Sequence, residues 1–322
     1  MPVKLPEFAD IEEAARVLAP YAIETPLVEH ADLNRLAGAR VFLKLETMQR
    51  TGSFKFRGAL NRIARIADRA KGVVAFSSGN HAQGVAAAAA QFGLPALIVM
   101  PHDAPAPKLE GTRAWGAEIV FYDRLKDDRE AIATRLCAER GATLVRPFDD
   151  PFIVAGQGTV GLELARAAAA RGVALDAVLV PCSGGGLVSG IALALSALSP
   201  ATRVVSVEPE NYDGMRRSLA AGSCVAAPGG QPSIADALMA PLPGEIPFAL
   251  AKQYLSHALA VSDDDLRRAC SYALHTLKLL VEPSGCAGLA ALLAGNSPGK
   301  NIALVLSGGN CDPISVTRIS AR

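Results

Sequence analysis

A lysine that stands between two phenylalanines is the first feature of the chain that could do chemistry. It lies in TGSFKFRG, residues 51–58, where Phe54 and Phe56 flank Lys55. A lysine amine that apolar rings shelter from water favours its neutral form, which is a nucleophile and a base. A surface lysine whose aliphatic stem packs against one ring is the alternative, because most lysines are exposed. The octapeptide alone leaves both interpretations open.

A glycine turn between a strand and a helix predicts a phosphate site. In DAVLVPCSGGGLVSGIALAL, an apolar strand runs into residues 183–186 and a long helix follows. Consecutive small residues let the backbone N–H groups point inward, and the helix N-terminus adds positive potential. No GK[ST] follows, so the turn is not a nucleotide P-loop and suits a single monophosphate. A tight turn without a ligand is the alternative.

A second glycine cluster has the pattern of a dinucleotide-binding fingerprint. GQGTVG at 156–161 matches GxGxxG, and Asp176 follows at the spacing of a ribose-binding acid. However, only FIVA precedes the cluster, and Asp176 begins a strand where the ribose-binding acid should end one. We therefore interpret these glycines as positions where a helix approaches a neighbouring element closely.

Short β-rich segments alternate with alanine- and leucine-rich helical patterns along the chain. This alternation, with nearly continuous apolar strands, predicts an α/β fold whose largely parallel sheets are covered on both faces. Ligands of such folds bind at the carboxyl ends of strands, so the segments of interest are SSGNH, PCSGGG, VEPENYD and SGGNCD. The Gly- and Pro-rich stretch 221–247 is predicted to be a long surface loop. One phosphate site and one sheltered lysine in such a chain suggest pyridoxal 5'-phosphate, which a lysine holds as a Schiff base.

Composition excludes several function classes. The net charge of +1, from 32 basic and 31 acidic residues, gives no electrostatic footprint for nucleic acid or for an anionic membrane. No uncharged apolar run reaches the ~18 residues of a membrane span. The six cysteines form no CxxC pair and the five histidines no HExxH pair, so free thiols and no structural zinc are expected. The charged, proline-broken start does not resemble a signal peptide, so a cytoplasmic location is expected.

Six motifs, in this order and spacing, resemble those of the fold-type II pyridoxal-phosphate enzymes: SFKFRGA, SSGNHAQGVA, AGQGTVGLE, PCSGGGLVSG, VEPSGCAGLAA and LSGGNCD. The chain is most similar to the serine/threonine dehydratases and the related serine racemases. The resemblance implies the α/β fold of the tryptophan synthase β type, with two domains of parallel sheet flanked by helices. Residues 1–73 and 150–322 would form a large cofactor-binding domain, and residues 74–149 a small mobile domain that closes over the active site. Such enzymes are homodimers or homotetramers.

The resemblance also assigns cofactor contacts. Lys55 would be the Schiff-base lysine and the base that removes the α-proton, with Phe54 beside it and with Phe56 helping to dry the site. Asn80 would bond the ring hydroxyl, Glu282 would lie near the ring and tune it, and Ser307 would face the pyridine nitrogen. The phosphate would be held by backbone amides of Ser183, Gly184, Gly185, Gly186 and Leu187.

The substrate contacts implied by the resemblance lie mainly in SSGNH. Ser78, Asn80 and His81 would receive the substrate carboxylate at a helix N-terminus. Ser78 would also be catalytic on the cofactor face opposite Lys55, as in the racemases. Arg129 matches a substrate-contacting arginine, with a solvated helix arginine as the alternative.

The implied activity is that of an ammonia-lyase, which removes water and ammonia from L-threonine- or L-serine-like 3-hydroxy amino acids and gives 2-oxo acids. The alternatives are a serine racemase, a dehydratase of another 3-hydroxy amino acid such as 3-hydroxyaspartate or phenylserine, and a non-catalytic pyridoxal-phosphate binder. The full SSGNH motif argues against the last of these.

A weak Mg²⁺ or Ca²⁺ site is the remaining expectation. Related enzymes bind a divalent cation through a glutamate, a backbone carbonyl and an acid six residues after that glutamate. This chain offers Glu208 and the Tyr212 carbonyl, but Gly214 stands at the third position and the nearest acid, Asp213, is one residue early. Fewer carboxylates mean lower affinity. Two solvated loop acids are the alternative.

Overall fold

The computed structural model describes residues 4–124 and 126–312 and contains two sheets. The larger sheet has six strands in the order β1-β2-β10-β7-β8-β9, and every pair is parallel except β1–β2. Its strands are β1 Leu27–Glu29, β2 Arg40–Leu45, β7 Ala177–Pro181, β8 Arg203–Pro209, β9 His257–Val261 and β10 Asn301–Leu306. The parallel pairing confirms the expected α/β architecture.

The smaller sheet is all-parallel and has four strands in the order β5-β4-β3-β6. Its strands are β3 Val73–Phe76, β4 Ala96–Pro101, β5 Glu118–Tyr122 and β6 Thr143–Leu144. They lie almost entirely within the predicted small domain. Helix α3, Lys55–Ala64, precedes that range, yet its Phe56, Leu60 and Ile63 belong to the same buried cluster as the small sheet. The domain division, and the motion of one part against the other, remain predictions.

Helices cover both sheets, as the apolar strands require. They are α1 Phe8–Leu18, α2 Ala31–Ala37, α3 Lys55–Ala64, α4 Asn80–Gln91, α5 Ala106–Ala114, α6 Arg129–Arg140, α7 Pro151–Ala170, α8 Gly186–Leu198, α9 Gly214–Ala221, α10 Glu245–Tyr254, α11 Asp263–His275 and α12 Ala287–Leu293. Short 3₁₀ turns occupy Glu46–Met48, Arg50–Gly52, Asp236–Leu238 and Pro283–Cys286. None of the described helices is long and apolar enough to cross a membrane.

The GQGTVG cluster lies inside α7, and its glycines serve helix packing. A Cβ at Gly156 would lie 2.7 Å from the Gly58 Cα on α3, and one at Gly161 would lie 2.9 Å from the Ile191 Cα on α8. Real Cβ atoms do not approach so closely, so α7 lies against both helices only because these positions lack side chains. The interpretation as close-packing glycines is confirmed.

The stretch 221–247 differs from its prediction as a surface loop. Glycine and proline do dominate it, but Ala235 and Leu238 are buried in the core under the large sheet, and α10 begins at Glu245. The 3₁₀ turn at Asp236–Leu238 places residues 236–240 against a cavity. Apolar residues scattered among turn formers carry no periodicity, so their burial is not visible in the sequence.

Candidate active site

A cavity of about 210 Å³ lies where strands of both sheets end. Its walls come from the segments that follow β3, β7 and β10, as expected for an α/β fold, and also from those that follow β4, β5 and β6. All predicted catalytic, cofactor and substrate residues line it. VEPENYD does not: β8 continues to Pro209, and Glu208 is a buried strand residue away from the cavity.

Lys55 is the first residue of α3 and lines the cavity in a partly buried position. Its Nζ donates to the Pro147 carbonyl at 2.9 Å and lies 5.1 Å from the centre of the Phe54 ring. Burial lowers the pKa of Lys55 to about 8, because an ammonium loses hydration that this site does not replace. The predicted shelter is therefore present. Phe56, however, turns away into the small-sheet core, and Phe148 joins Phe54 at the cavity wall instead.

A buried charge cluster holds α3 in place and so fixes the backbone of Lys55. Arg57 is 1% exposed and bonds Glu46 at 2.8 Å and Glu163 on α7 at 2.5 Å. Lys44 on β2 bonds the same Glu163 at 2.5 Å. Although burial opposes the charge, these carboxylates raise the pKa of Arg57, and Arg57 lowers that of Glu46. No local sequence pattern marks this cluster, because its members come from four separate elements.

The glycine turn forms a cup of free backbone N–H groups. Within the described residues, the N–H groups of Ser183, Gly184 and Gly185 donate to no protein acceptor, and α8 begins at the next residue. Gly185 has φ +94°, a conformation that L side chains rarely adopt. The Ser183 hydroxyl accepts from Ala240 N at 3.0 Å, which ties the cup to the 236–240 segment. Free donors at a helix N-terminus are suited to an anion.

The SSGNH loop joins β3 to α4 on the opposite wall of the cavity. His81 Nε2 lies 2.9 Å from the Val145 carbonyl, and burial together with the charge of Lys55 lowers the pKa of His81 to about 3. The imidazole is therefore neutral with its proton on Nε2, and Nδ1 has none to donate. The backbone N–H of His81 can still donate to a carboxylate, because it lies in the first turn of α4, where N–H groups have no partner within the helix.

Asn80 is held by a chain of hydrogen bonds that crosses the cavity floor. Asn310 Nδ2 donates to the Thr51 carbonyl at 2.6 Å and to Asn80 Oδ1 at 2.9 Å, and Asn80 Nδ2 donates to Glu282 Oε1. A Cβ at Gly308 would collide with the Glu282 carboxylate, so the chain depends on a glycine there. Burial raises the pKa of Glu282 to about 6, which the nearby Lys108 ammonium partly offsets.

Ser307 directly follows β10, beside the Lys55 segment. Its carbonyl accepts from Phe54 N at 3.2 Å, so the strand end and the lysine segment are joined by backbone. The residue is 4% exposed and lines the cavity. A neutral serine, and no carboxylate, therefore stands at the position predicted to face a pyridine nitrogen.

Two arginines stand at the mouth of the cavity. Arg129, the first residue of α6, lies over the Phe76 ring at 5.3 Å and has no ion-pair partner within the described residues. Arg124 lines the same cavity and bonds Asp103 at 2.7 Å. The sequence prediction included Arg129 but missed Arg124. It also missed Lys108 and Asp236, which pair at 2.6 Å on the cavity wall, because no motif contains them.

The predicted metal ligands are engaged with the protein. Both oxygens of Glu208 accept backbone N–H groups, from Met215 at 2.9 Å and from Arg216 at 2.8 Å. Asp213 bonds the guanidinium groups of Arg216 and Arg217. Among the residues that the structure describes, no three His, Cys, Asp or Glu side chains converge on a point where they could hold a metal ion. The weak site remains a prediction.

The donor set of the cavity fits pyridoxal phosphate. The cup supplies three free N–H groups for a phosphate, and Lys55 supplies an amine with a lowered pKa. Glu282 Oε2 is buried without a hydrogen-bond partner. Ser307 supplies a polar group on the cavity wall just after β10. A phosphorylated aromatic aldehyde would use all of these groups together.

Comparisons of the sequence and of the fold with known proteins point to the same cofactor as the donor set of the cavity. The family model described as "Pyridoxal-phosphate dependent enzyme" matches residues 18–308. An L-threonine ammonia-lyase of Thermotoga maritima is 40% identical over 313 residues, which cover 96% of this chain and 77% of that protein. An L-threo-3-hydroxyaspartate ammonia-lyase of a Pseudomonas species is 43% identical over 314 residues, which cover 96% and 97%. The solved structure of maize serine racemase superposes with a TM-score of 0.92 at 36% identity, covering 98% of this chain and 97% of that one.

Proposed function

Because the chain belongs to the family of pyridoxal-phosphate dependent enzymes, we propose that it removes water and ammonia from 3-hydroxy amino acids such as L-threonine and L-serine and releases 2-oxo acids. The observation that carries the proposal is the pair of features on one cavity: the Lys55 amine with its lowered pKa and the cup of free N–H groups. The names of the ammonia-lyase relatives support the same reaction class.

In this proposal the chain holds the cofactor through Lys55 and by four further contacts. The backbone amides of residues 183–187 bind the phosphate, and the second N–H of Asn80 Nδ2 meets the ring hydroxyl. Ser307 faces the ring nitrogen, and Glu282 lies beside the ring behind Asn80. The first N–H of Asn80 already points to Glu282, so its amide plane is fixed before the cofactor arrives.

The bound cofactor supplies an electron sink for the bond that breaks at the substrate Cα. Lys55 removes the α-proton, since a pKa of about 8 leaves about a tenth of the amine neutral at neutral pH, far more than for an ordinary lysine. Ser307 gives the ring nitrogen a neutral partner, which makes a weaker sink than a carboxylate partner would. A weaker sink would favour loss of the β-hydroxyl over transamination.

The substrate carboxylate binds to the N-terminus of α4. The first-turn N–H groups of Asn80 and His81 and the Ser78 hydroxyl border the cavity there, and a helix N-terminus attracts a carboxylate. The neutral His81 adds no charge to this contact. Ser78 is also proposed to stand on the face opposite Lys55, where it would exchange protons in racemisation.

A specific observation supports a second substrate, L-threo-3-hydroxyaspartate. Arg129 has no carboxylate partner within the described residues and lines the cavity beside Arg124. Arginine binds carboxylates with two parallel hydrogen bonds, so a substrate with a side-chain carboxylate would pair with one or both. The Pseudomonas relative bears the name of that activity.

Ammonia release from a panel of amino acids tests the proposal. The holoenzyme is assayed with L-threonine, L-serine, L-threo-3-hydroxyaspartate and phenylserine, and the products of L-serine are separated by chirality. We expect ammonia with a 2-oxo acid, and little D-serine. Dominant D-serine would replace the proposal by a racemase, and no turnover of any substrate by cofactor-loaded protein would leave a non-catalytic binder.

We also propose a cytoplasmic homodimer or homotetramer. The six cysteines are all free in the structure, which accords with a reducing compartment, and the assembly follows from the family resemblance. Light scattering on the holoenzyme, with a mass of one 33.4 kDa chain as the contradicting result, tests the assembly.

A further inference from the structure

Lys108 is a buried cation that the proposed reaction does not use. It lies on α5, is 4% exposed and lines the cavity. Its Nζ donates to Asp236 Oδ2 at 2.6 Å and lies 3.6 Å from Glu282 Oε2. The SSGNH loop packs on its stem, since a Cβ at Gly79 would lie 2.6 Å from Lys108 Cδ. Burying an ammonium is costly unless carboxylates pair with it, and here the pairing includes a carboxylate at the cavity floor.

Glu282 lies between two groups that can only donate. Asn80 Nδ2 donates to its Oε1, and the Lys108 ammonium faces its Oε2. The amide of Asn80 cannot be reversed, because Asn310 donates to its Oδ1 and is itself fixed by the Thr51 carbonyl. A carboxyl group between two donors serves both only when it is ionised, since a protonated oxygen would direct its own proton at one of them.

We propose that Lys108 is a positioning residue that acts through Glu282: its ammonium keeps the Glu282 carboxylate ionised, and that carboxylate holds the Asn80 amide toward the cofactor ring. The final contact, from Asn80 to the ring, rests on the proposed function. The Lys108–Glu282 pair joins α5, which packs against α4, to the turn that follows α11.

The charged and titratable groups around Glu282 determine in which direction each substitution should shift its pKa. Lys108 faces it from α5, Asp236 from the 3₁₀ turn before α10, Cys286 from its own turn and Cys311 from the loop after β10. Burial and the Asp236 charge raise the pKa of Glu282, and Lys108 lowers it. Removing Lys108 leaves the hydrogen bond from Asn80 as the remaining contact that lowers the Glu282 pKa, against burial and the Asp236 charge, which raise it. Removing the Asp236 charge acts in the opposite direction.

The absorption spectrum of the bound cofactor, recorded without substrate from about pH 5 to about pH 9, tests the proposal. Wild-type enzyme should show a spectral midpoint near the Glu282 pKa of about 6, and Glu282→Gln should abolish it. Lys108→Met should move the midpoint up by about one unit or more and weaken cofactor binding at neutral pH about tenfold. Lys108→Arg should restore both, and Asp236→Asn should move the midpoint down.

Lys44→Met is the matched control. It removes a second buried lysine, 1% exposed, that is also paired with a carboxylate but does not line the cavity. Stability should therefore fall while the midpoint stays. An unchanged or lowered midpoint in Lys108→Met, or a wild-type midpoint that survives Glu282→Gln, would overturn the proposal. If Lys108→Met does not fold, an unchanged or raised midpoint in Asp236→Asn overturns it. No substrate is present, so a failure of the proposed reaction would not affect these results.

Discussion

Replacing the sheltered lysine by an uncharged side chain should make the cofactor-free protein more stable. Burial lowers the pKa of Lys55 from 10.5 to about 8. The ammonium form of Lys55 is therefore less stable in the folded protein than in the unfolded chain. Lys55→Met keeps the length of the aliphatic stem and removes the charge. The substitution therefore removes the penalty together with the proposed chemistry.

The magnitude follows from the size of the pKa shift. A change from 10.5 to about 8 corresponds to about 3 kcal/mol, at about 1.4 kcal/mol per unit. Lys55 is only partly buried, so water reduces this penalty, and the substitution also loses the hydrogen bond to the Pro147 carbonyl, worth about 1 kcal/mol. We expect a net gain of about 1–2 kcal/mol in the free energy of unfolding.

The gain should depend on pH in one direction. The folded pKa is the lower of the two, so the penalty is complete below about pH 8 and disappears as the pH rises through 10.5, where the unfolded chain also loses its proton. The advantage of Lys55→Met is therefore full at neutral pH and shrinks above about pH 8.

Urea unfolding of the two cofactor-free proteins at neutral and at alkaline pH measures this difference. Lys126→Met, which replaces a side chain that is 80% exposed, is the control and should change little. A Lys55→Met protein that is less stable than wild type at neutral pH, or a gain that grows with pH, would refute the reasoning about the buried amine.

Three further predictions concern the scaffold, the second face and the metal. Arg57→Met should lower the free energy of unfolding by about 3–5 kcal/mol because it leaves the buried Glu46 carboxylate without its ion-pair partner and Glu163 with Lys44 alone. Arg35→Met removes an exposed pair and should cost little in the same urea experiment. Ser78→Ala should reduce racemisation of L-serine far more than ammonia release, and it should raise KM if Ser78 contacts the substrate carboxylate; equal loss of both activities with unchanged KM would contradict the two-face assignment. A chelator should lower activity or Tm only modestly and millimolar Mg²⁺ should restore it, while complete inactivation reversed by micromolar metal would mean a strong site.

Most of the site could be predicted from local motifs, because the residues of each motif are close in the sequence and each has a chemical reason for its type. Lys55, the cup at 183–186 and Asn80 fall at strand or helix ends where the sequence predicted them. The glycines of α7 were also recognisable, because their context did not suit a dinucleotide fingerprint.

What the sequence could not supply depends on contacts between distant segments. The Lys108 ammonium meets Asp236 and Glu282 across more than one hundred residues of chain, and no local pattern marks any of the three as partners. Phe56 was misplaced for a related reason: adjacent residues on a helix point to different faces, so only the fold shows that it packs in the small-sheet core.

Reduction of the holoenzyme with borohydride, followed by mass spectrometry of its peptides, tests the central claim most directly. The reagent fixes the cofactor covalently to whichever lysine holds it. The cavity contains two lysines, Lys55 and Lys108, and the second keeps its charge because Glu282 and Asp236 outweigh the effect of burial and raise its pKa. We predict that the cofactor mass lies on Lys55 alone. The same mass on Lys108, or no modified lysine in a fully loaded enzyme, would contradict the account.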